Sequence, residues 1–217
     1  MCVSSIEPLE LAAFARRLAA APGAPDLSDR VLRALHEHYR ELGRWAPRVD
    51  LIGPGAAGEL FERHYGESLA ALPWLPPGPF RLVDLGSGAG FPGLVLAAAR
   101  PDAEVWLVEP RQRRAAFLAV AARKMGVGAH VLDVRVDAQS LPELPERIDV
   151  VTQRALRLAP RAYRALLNRL APAAQLLVWC GAEPLELPAE LAPARTLHLP
   201  HSRQRRLIEY RRAEGSS

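Results

Sequence analysis

Along the first 75 residues the apolar positions recur every three or four residues. Val31, Leu35, Tyr39, Leu42 and Trp45 follow one another at intervals of four, four, three and three, with arginine and glutamate on the opposite side. That spacing predicts an amphipathic helix that starts at Asp26-Leu27-Ser28. Leu9, Ala12, Ala13 and Leu18 predict an earlier helix within residues 4–21, capped by Ser4 or Ser5 and ended by Pro22-Gly23-Ala24-Pro25. After a Gly/Pro break at 53–55, helix-forming residues run from Gly58 to Leu72. Pro73 to Pro79, with four prolines, reads as a stiff connector.

Beyond it the pattern changes. Short apolar runs now alternate with helical stretches, which predicts a parallel sheet with helices between its strands. Leu82-Val83 opens the series. It is followed by strands at Glu104–Val108, Val131–Val134, Ile148–Thr152 and Gln175–Cys180, and by helices at 94–100, Arg111–Gly126 and Pro160–Leu170. The proline-rich stretch Glu183–Pro193 has room for at most a short helix. Arg195–Leu199 and Arg206–Tyr210 suit a closing antiparallel pair, and Arg212–Ser217 reads as a frayed tail. Two regions are expected: a helical extension over residues 1–75 and an α/β domain over 76–217.

The stretch that organises the second region is Arg81–Gly93, RLVDLGSGAGFPG. A buried strand, a glycine run and a helix start form the opening of a βαβ unit. Such a loop lets a nucleotide-type cofactor approach the main chain. Two cofactors compete for it. Gly88 to Gly93 satisfies G-x-G-x-x-G, and Glu109 lies 21 residues beyond Gly88, near the place of a ribose-binding acid in dinucleotide folds. Asp84 with Gly86, Gly88 and Gly90 also reads D-x-G-x-G-x-G, the first motif of S-adenosylmethionine-dependent methyltransferases. An acid at the strand end suits a cofactor with a free amino group and would repel a pyrophosphate, so the methyltransferase reading is preferred.

In open α/β sheets ligands lie beyond the carboxyl ends of the strands, which selects the remaining candidates. Asp84 is placed to hold the methionine amino group or to accept N–H bonds within the glycine turn. Glu109 suits the ribose hydroxyls, the cap of the helix that starts near Arg111, or both. Asp137 suits the adenine amino group or a plain surface turn. Phe91 belongs against the cofactor or in the core, and Arg154 faces the substrate or solvent. His64 reads as a helix-surface residue rather than a base.

Composition narrows the classes. Apolar residues at 49% and charged residues at 24% are ordinary for a chain with a real core. Cys2 and Cys180 have no metal or redox spacing, which points to a reduced, cytoplasmic setting. No run approaches a membrane span, no secretory signal is read at MCVSSIEPLE, and no partner membrane is expected. No histidine stands in a hydrolase or zinc arrangement. A net charge of +4 and a pI near 9.6 permit nucleic-acid binding. Lys124 is the only lysine. The arginine groups 111/113/114, 154/157/161/164 and 203/205/206 therefore read either as phosphate contacts or as a genome-wide compositional bias.

From about Arg40 to Tyr210 the chain resembles the small-subunit ribosomal RNA guanine-N7 methyltransferases, the glucose-inhibited division protein B family. Arg63-His64 with Glu67-Ser68-Leu69 is similar to the family's R-H-x-x-D-S-L, DLGSGAGFPG to D-x-G-[ST]-G-x-G-[LF]-P-G, Arg135-Val136-Asp137 to R-x-E, and Gln153-Arg154-Ala155 to S-R-A. The resemblance implies a class I S-adenosylmethionine-dependent methyltransferase, Rossmann-like, with a seven-stranded, mostly parallel sheet. It implies S-adenosylmethionine as cofactor and Gly86, Phe91, Glu109, Val136, Asp137 and Arg154 as residues lining its site, beside Asp84 and Gly88 from the motif. Arg154 is the one catalytic candidate. The implied partner is small-subunit ribosomal RNA or a ribosomal particle, with a monomer as the expected state. Five positions depart from the family's pattern: Asp50 and Ile52 in place of its N-L-T, Glu67 for aspartate, Gln153 for serine and Cys180 for lysine. The resemblance implies that these positions lie nearer the RNA and target base than the cofactor. Other readings are a non-catalytic RNA- or ribosome-binding protein with a vestigial pocket, a small-molecule methyltransferase, and an NAD-linked reductase.

Overall fold

A computed structural model describes residues 6–53, 56–137, 143–183, 185–200, 202 and 204–213. The expected tail beyond 213, the caps at Ser4 and Ser5, and Arg203 lie outside these residues.

Seven strands form one sheet: β1 (Phe80–Leu85), β2 (Ala103–Val108), β3 (His130–Leu132), β4 (Ile148–Arg154), β5 (Leu170–Cys180), β6 (Leu191–His198) and β7 (Arg206–Arg212). Their spatial order is β3-β2-β1-β4-β5-β7-β6. The first five are parallel, while β7 runs antiparallel to both β5 and β6. The mostly parallel seven-stranded sheet and its antiparallel closing pair match the expectation. Strand β6 begins earlier than expected, at Leu191, so the end of the proline-rich stretch is strand rather than helix. Its Pro193 lies on the sheet edge, beside a register shift at Pro193/Arg195, where a missing N–H costs no ladder bond.

Alternation along the central strands divides the core. Leu82, Leu107, Val150 and Leu177 join one cluster, whereas Val83, Leu85, Val108, Val151 and Val178 join another. The period of two sends neighbouring side chains to opposite faces. The first face carries α4 (Gly93–Ala99) and α5 (Gln112–Met125); the second carries Tyr163, Leu166 and Leu167 of α6 (Pro160–Leu167). Gly126, in the left-handed region at φ 66°, ends α5 as expected, and Pro160 opens α6.

The helical extension covers the first face. It contains α1 (Leu11–Ala19) and α2 (Asp29–Trp45), whose predicted stripe is buried at Val31, Leu35, Tyr39 and Leu42. Phe14, Leu18, Leu35, Tyr39 and Tyr65 share one cluster with Leu82, Val150 and Leu207 of the sheet. The expected helix over 58–72 is less regular. A 3-10 turn, Ala56–Glu59, leads into a π-helical segment, Leu60–Gly66. A single α turn, α3 (Glu67–Leu69), and a 3-10 turn, Leu72–Trp74, follow.

Candidate active site

The carboxyl ends of β1 and β2 lie side by side, with Leu85 opposite Val108, so Asp84 and Glu109 flank the loop between β1 and α4. Gly86 and Ser87 both donate to the Val108 carbonyl, at 2.8 and 3.0 Å, and fold the loop back over β2. That turn requires the left-handed region at Gly86 (φ 72°) and Gly88 (φ 53°), where a side chain would be strained. It also brings the Gly88 N–H to Oε2 of Glu109 at 3.0 Å, while Oε1 accepts from Arg111 N at 3.0 Å. Glu109 is thus the helix cap that the sequence allowed. Each of its oxygens accepts one backbone N–H and can take another bond, so it retains capacity for a diol.

Asp84 sits beneath the loop, 1% exposed. It lies opposite Thr152 in the β1/β4 register, and the Thr152 hydroxyl donates to Oδ1 at 2.7 Å. Its Oδ2 accepts from Gly93 N at 3.3 Å. A Cβ on Gly93 would lie 2.5 Å from that oxygen, so the close approach demands glycine. Burial raises the Asp84 pKa to about 6, against the pull of Thr152, Ser87 and Gly93. The bond to Gly93 also bears on the cofactor: the first amide of α4, which a pyrophosphate would use in a dinucleotide fold, already has a carboxylate partner. The geometry is poor for a dinucleotide. It suits a cofactor with a cationic end near β1 and a ribose near β2.

Phe91 is a core residue, packed against His38, His64 and Tyr65 with ring centroids 5.0 Å away in each case. Behind it, His38 of α2 holds the loop. A carbonyl can only accept, so His38 Nε2–H donates to Ala89 O at 2.8 Å and Nδ1 accepts from the Tyr65 hydroxyl at 2.9 Å. Burial lowers the His38 pKa to about 4 and keeps it neutral. Val136 and Asp137 follow β3 in irregular backbone and are half-buried, Val136 against the cluster on the second face.

At the end of β4 the chemistry changes sign. Arg154 donates through Nη2 to the Arg63 carbonyl (2.7 Å) and to Glu67 Oε2 (2.8 Å); Arg205 Nε donates to Oε1 of the same carboxylate at 2.7 Å. Trp179, opposite Arg154 in the β4/β5 register, donates to the Glu67 carbonyl at 2.8 Å. Glu67 is 3% exposed, a buried anion shared by two arginines. Burial lowers the Arg154 pKa to about 10, with Glu67 opposing, so the group stays charged. His64 is not the surface residue the sequence predicted. Burial first, then Arg154, Arg63 and Arg205, lower its pKa to about 3.

Beside this cluster, the ends of β4 and β5 enclose a cleft of about 670 Å³ whose lining includes Leu156, Arg157, Trp179, Cys180 and Gln204. The departures from the family's pattern find local partners. Gln153 donates to Leu156 O at 2.6 Å and accepts from Tyr163 OH at 2.8 Å. Asp50 pairs with Arg114 at 3.1 Å, Ile52 is buried, and Cys180 lines the cleft. The predicted arginine surface is thinned: Arg205 is engaged by Glu67, and Arg157 by Glu183 at 2.5 Å. Arg161 and Arg164 stay exposed on α6, with no ion pair among the described residues. The described residues contain no cluster of potential metal ligands. No helix among them is long and apolar enough to cross a membrane.

Residues 31–200 match the family model described as GidB, rRNA small subunit methyltransferase G. The chain belongs to this family. Its relatives include the "Ribosomal RNA small subunit methyltransferase G" of Acidiphilium cryptum, 38% identical over 70% of this chain and 74% of that protein. The protein of the same name from Salinispora arenicola is 43% identical over 61% of this chain and 56% of its own length. The aligned part thus spans from about half to three quarters of these relatives. Among solved structures, a mutant of MtNAS in complex with S-adenosylmethionine aligns at a TM-score of 0.58, with 16% identity over 85% of this chain and 72% of that one. A precorrin-6y C5,15-methyltransferase from Geobacter metallireducens aligns at 0.51, with 11% identity over 68% and 87%. The fold is that of class I methyltransferases.

The family's motifs fall where the sequence put them, around one edge of the sheet. Sequence reasoning missed His38, Thr152 and Trp179. His38 lies seven residues beyond Val31, on the predicted apolar stripe, and was readable as a buried histidine. Thr152 and Trp179 acquire their roles only from strand register.

Proposed function

We propose that this chain methylates N7 of a guanine in small-subunit ribosomal RNA, with S-adenosylmethionine as cofactor. The observation that carries the cofactor is the pair of buried carboxylates on neighbouring strands, each holding one side of the glycine loop. S-adenosylmethionine supplies, when bound, a methyl group on a sulfonium, which is open to displacement. Asp84 supports the site from below, and its charge favours the amino group of the methionyl end, directly or through water. Each Glu109 oxygen, already accepting one backbone N–H, can accept a second bond from the ribose diol. Val136 and Asp137, beyond β3, stand on the adenine side. Arg154 closes the site toward the cleft between β4 and β5, which we assign to the target base.

Guanine N7 carries a lone pair at neutral pH, so the reaction needs no general base. That agrees with a cleft whose lining includes a tryptophan, a cysteine and an arginine paired with Glu183, and no histidine among the described residues. Rate would come from alignment of N7 with the methyl group. The guanine must be unstacked to enter. Of the described arginines after β4 that were read as phosphate contacts, Arg161 and Arg164 have no acidic partner among the described residues and are left for phosphates. The test is to map N7-methylguanine in small-subunit ribosomal RNA incubated with the protein and S-adenosylmethionine. One methylated guanine is expected; no methylated guanine on naked RNA or on a ribosomal particle would overturn the assignment.

A further inference from the structure

Two buried polar atoms above the glycine loop have no hydrogen-bond partner among the described residues: Nε2 of His64 and Nη1 of Arg154. The backbone joins them. The other arm of Arg154 donates to the carbonyl of Arg63, the residue before His64, at 2.7 Å. The His64 ring lies on Phe91 with centroids 5.0 Å apart, which sets it beside the loop that follows Asp84. A buried donor left unpaired is costly, so both atoms point to a ligand.

The charges around them say of what kind. Arg63, Arg154 and Arg205 all act on the His64 imidazole. Against them stand Glu67, shared between Arg154 and Arg205, and Glu59, which pairs with Arg63 at 3.0 Å on the surface. These two groups therefore offer N–H donors in a field of positive sign, which fits an anion. Both atoms are shut away from solvent, so a small anion on the glycine loop suits them better than a phosphate of a polymer outside.

The methionyl end of S-adenosylmethionine is a zwitterion, with an ammonium and a carboxylate on one carbon. The site has matching halves. The Asp84 carboxylate lies opposite Thr152, two residues before Arg154 on β4, and close enough to act on the Arg154 charge. Resting on the cofactor assignment above, we propose that His64, through Nε2–H, joins Arg154 Nη1 in binding the α-carboxylate of S-adenosylmethionine. The family resemblance brings Arg154 to the cofactor; His64 is the added ligand, and the carboxylate is the added contact.

The test compares binding of S-adenosylmethionine and of its decarboxylated counterpart by calorimetry, for the wild type, His64→Phe and His64→Gln. His64→Phe keeps a ring against Phe91 and removes the N–H; His64→Gln restores an amide donor. The wild type is expected to prefer S-adenosylmethionine by at least about tenfold, as a charge-assisted bond would give. His64→Phe should narrow that preference by about tenfold, with little change for the decarboxylated compound, and His64→Gln should restore part of it. Equal affinity of the wild type for both compounds overturns the proposal without recourse to any variant. So does an unchanged preference in folded His64→Phe, including the case where only RNA affinity falls. A wild type that binds neither compound instead removes the cofactor assignment on which the proposal rests.

Discussion

The two halves of the sheet's carboxyl edge are built on opposite plans. At β1 and β2 the charges are acids, and neutral backbone N–H groups and one hydroxyl hold them in place: Gly93 and Thr152 for Asp84, Gly88 and Arg111 for Glu109. At β4 and β5 the charges are arginines, held by one glutamate from the helical extension, Glu67. The first half is local, since its partners come from the loop itself or the adjacent strand. The second draws residues from 63 to 205 into one contact and depends on a buried ion network. Removing one partner there leaves a charge uncompensated, whereas removing one partner in the first half costs a single hydrogen bond.

Acid should separate the halves most strongly. His38 and His64 have pKa values lowered from 6.5 to about 4 and about 3. The unfolded chain takes up their protons first, so their stabilising effect is complete above pH 6.5 and is lost as pH falls from there. Over pH 6.5 to 4 this amounts to roughly 3 kcal/mol per histidine at most. Asp84 runs the other way. Its native pKa of about 6 means that protonation between pH 6 and 4 favours the folded state, by up to about 3 kcal/mol. Two histidines outweigh one aspartate, and denaturant midpoints should fall across this window. In His64→Gln the fall should be smaller; in Asp84→Asn it should be larger. A flat profile for the wild type would show that the imidazoles are not held neutral.

Glu67→Gln comes next. It leaves Arg154 and Arg205 without their carboxylate and should destabilise the protein by about 3 kcal/mol in urea unfolding, at the low end for a broken buried pair because Arg205 is partly exposed. A loss below 1 kcal/mol would mean that the network is a solvated surface feature. The smallest effect belongs to the first half. Glu109→Ala should weaken S-adenosylmethionine binding by about 1–3 kcal/mol. Its stability loss should be near 1 kcal/mol, the value of a helix cap. Unchanged cofactor affinity in the folded variant would reduce Glu109 to a cap alone.

The same contrast decided what could be read from the sequence. Strand, glycine loop, acid and helix stand within 30 residues of one another, so local pattern placed Asp84 and Glu109 and anticipated their bonds to the glycine turn and the helix start. The sheet followed from strand–helix alternation. The arginine half was not readable in this way. Glu67 stood in a motif, but nothing in its neighbourhood announced Arg205 or Trp179, which reach it from distant strands through register and the β7 return. His64 was misplaced on a surface for a related reason: a π-helical segment carries a different periodicity from the α-helix that the pattern assumed. Arginines 157 and 205, read as a free basic surface, found acidic partners that only the tertiary structure supplies.

The π-helical segment Leu60–Gly66 has a consequence for how this chain can vary in length. A wide turn of this kind is what remains when one residue is added to an α-helix without disturbing its flanks. Upstream, Phe61 is locked into the aromatic cluster with Phe14 and Tyr39; downstream, Glu67 is locked to Arg154 and Arg205. Substitutions between these anchors change one contact each. A single-residue deletion would restore ordinary helical spacing and turn one anchor against the other by about 100°. A change of length within this stretch should therefore cost more stability than a single substitution there, and insertions or deletions should be better tolerated in the breaks on either side.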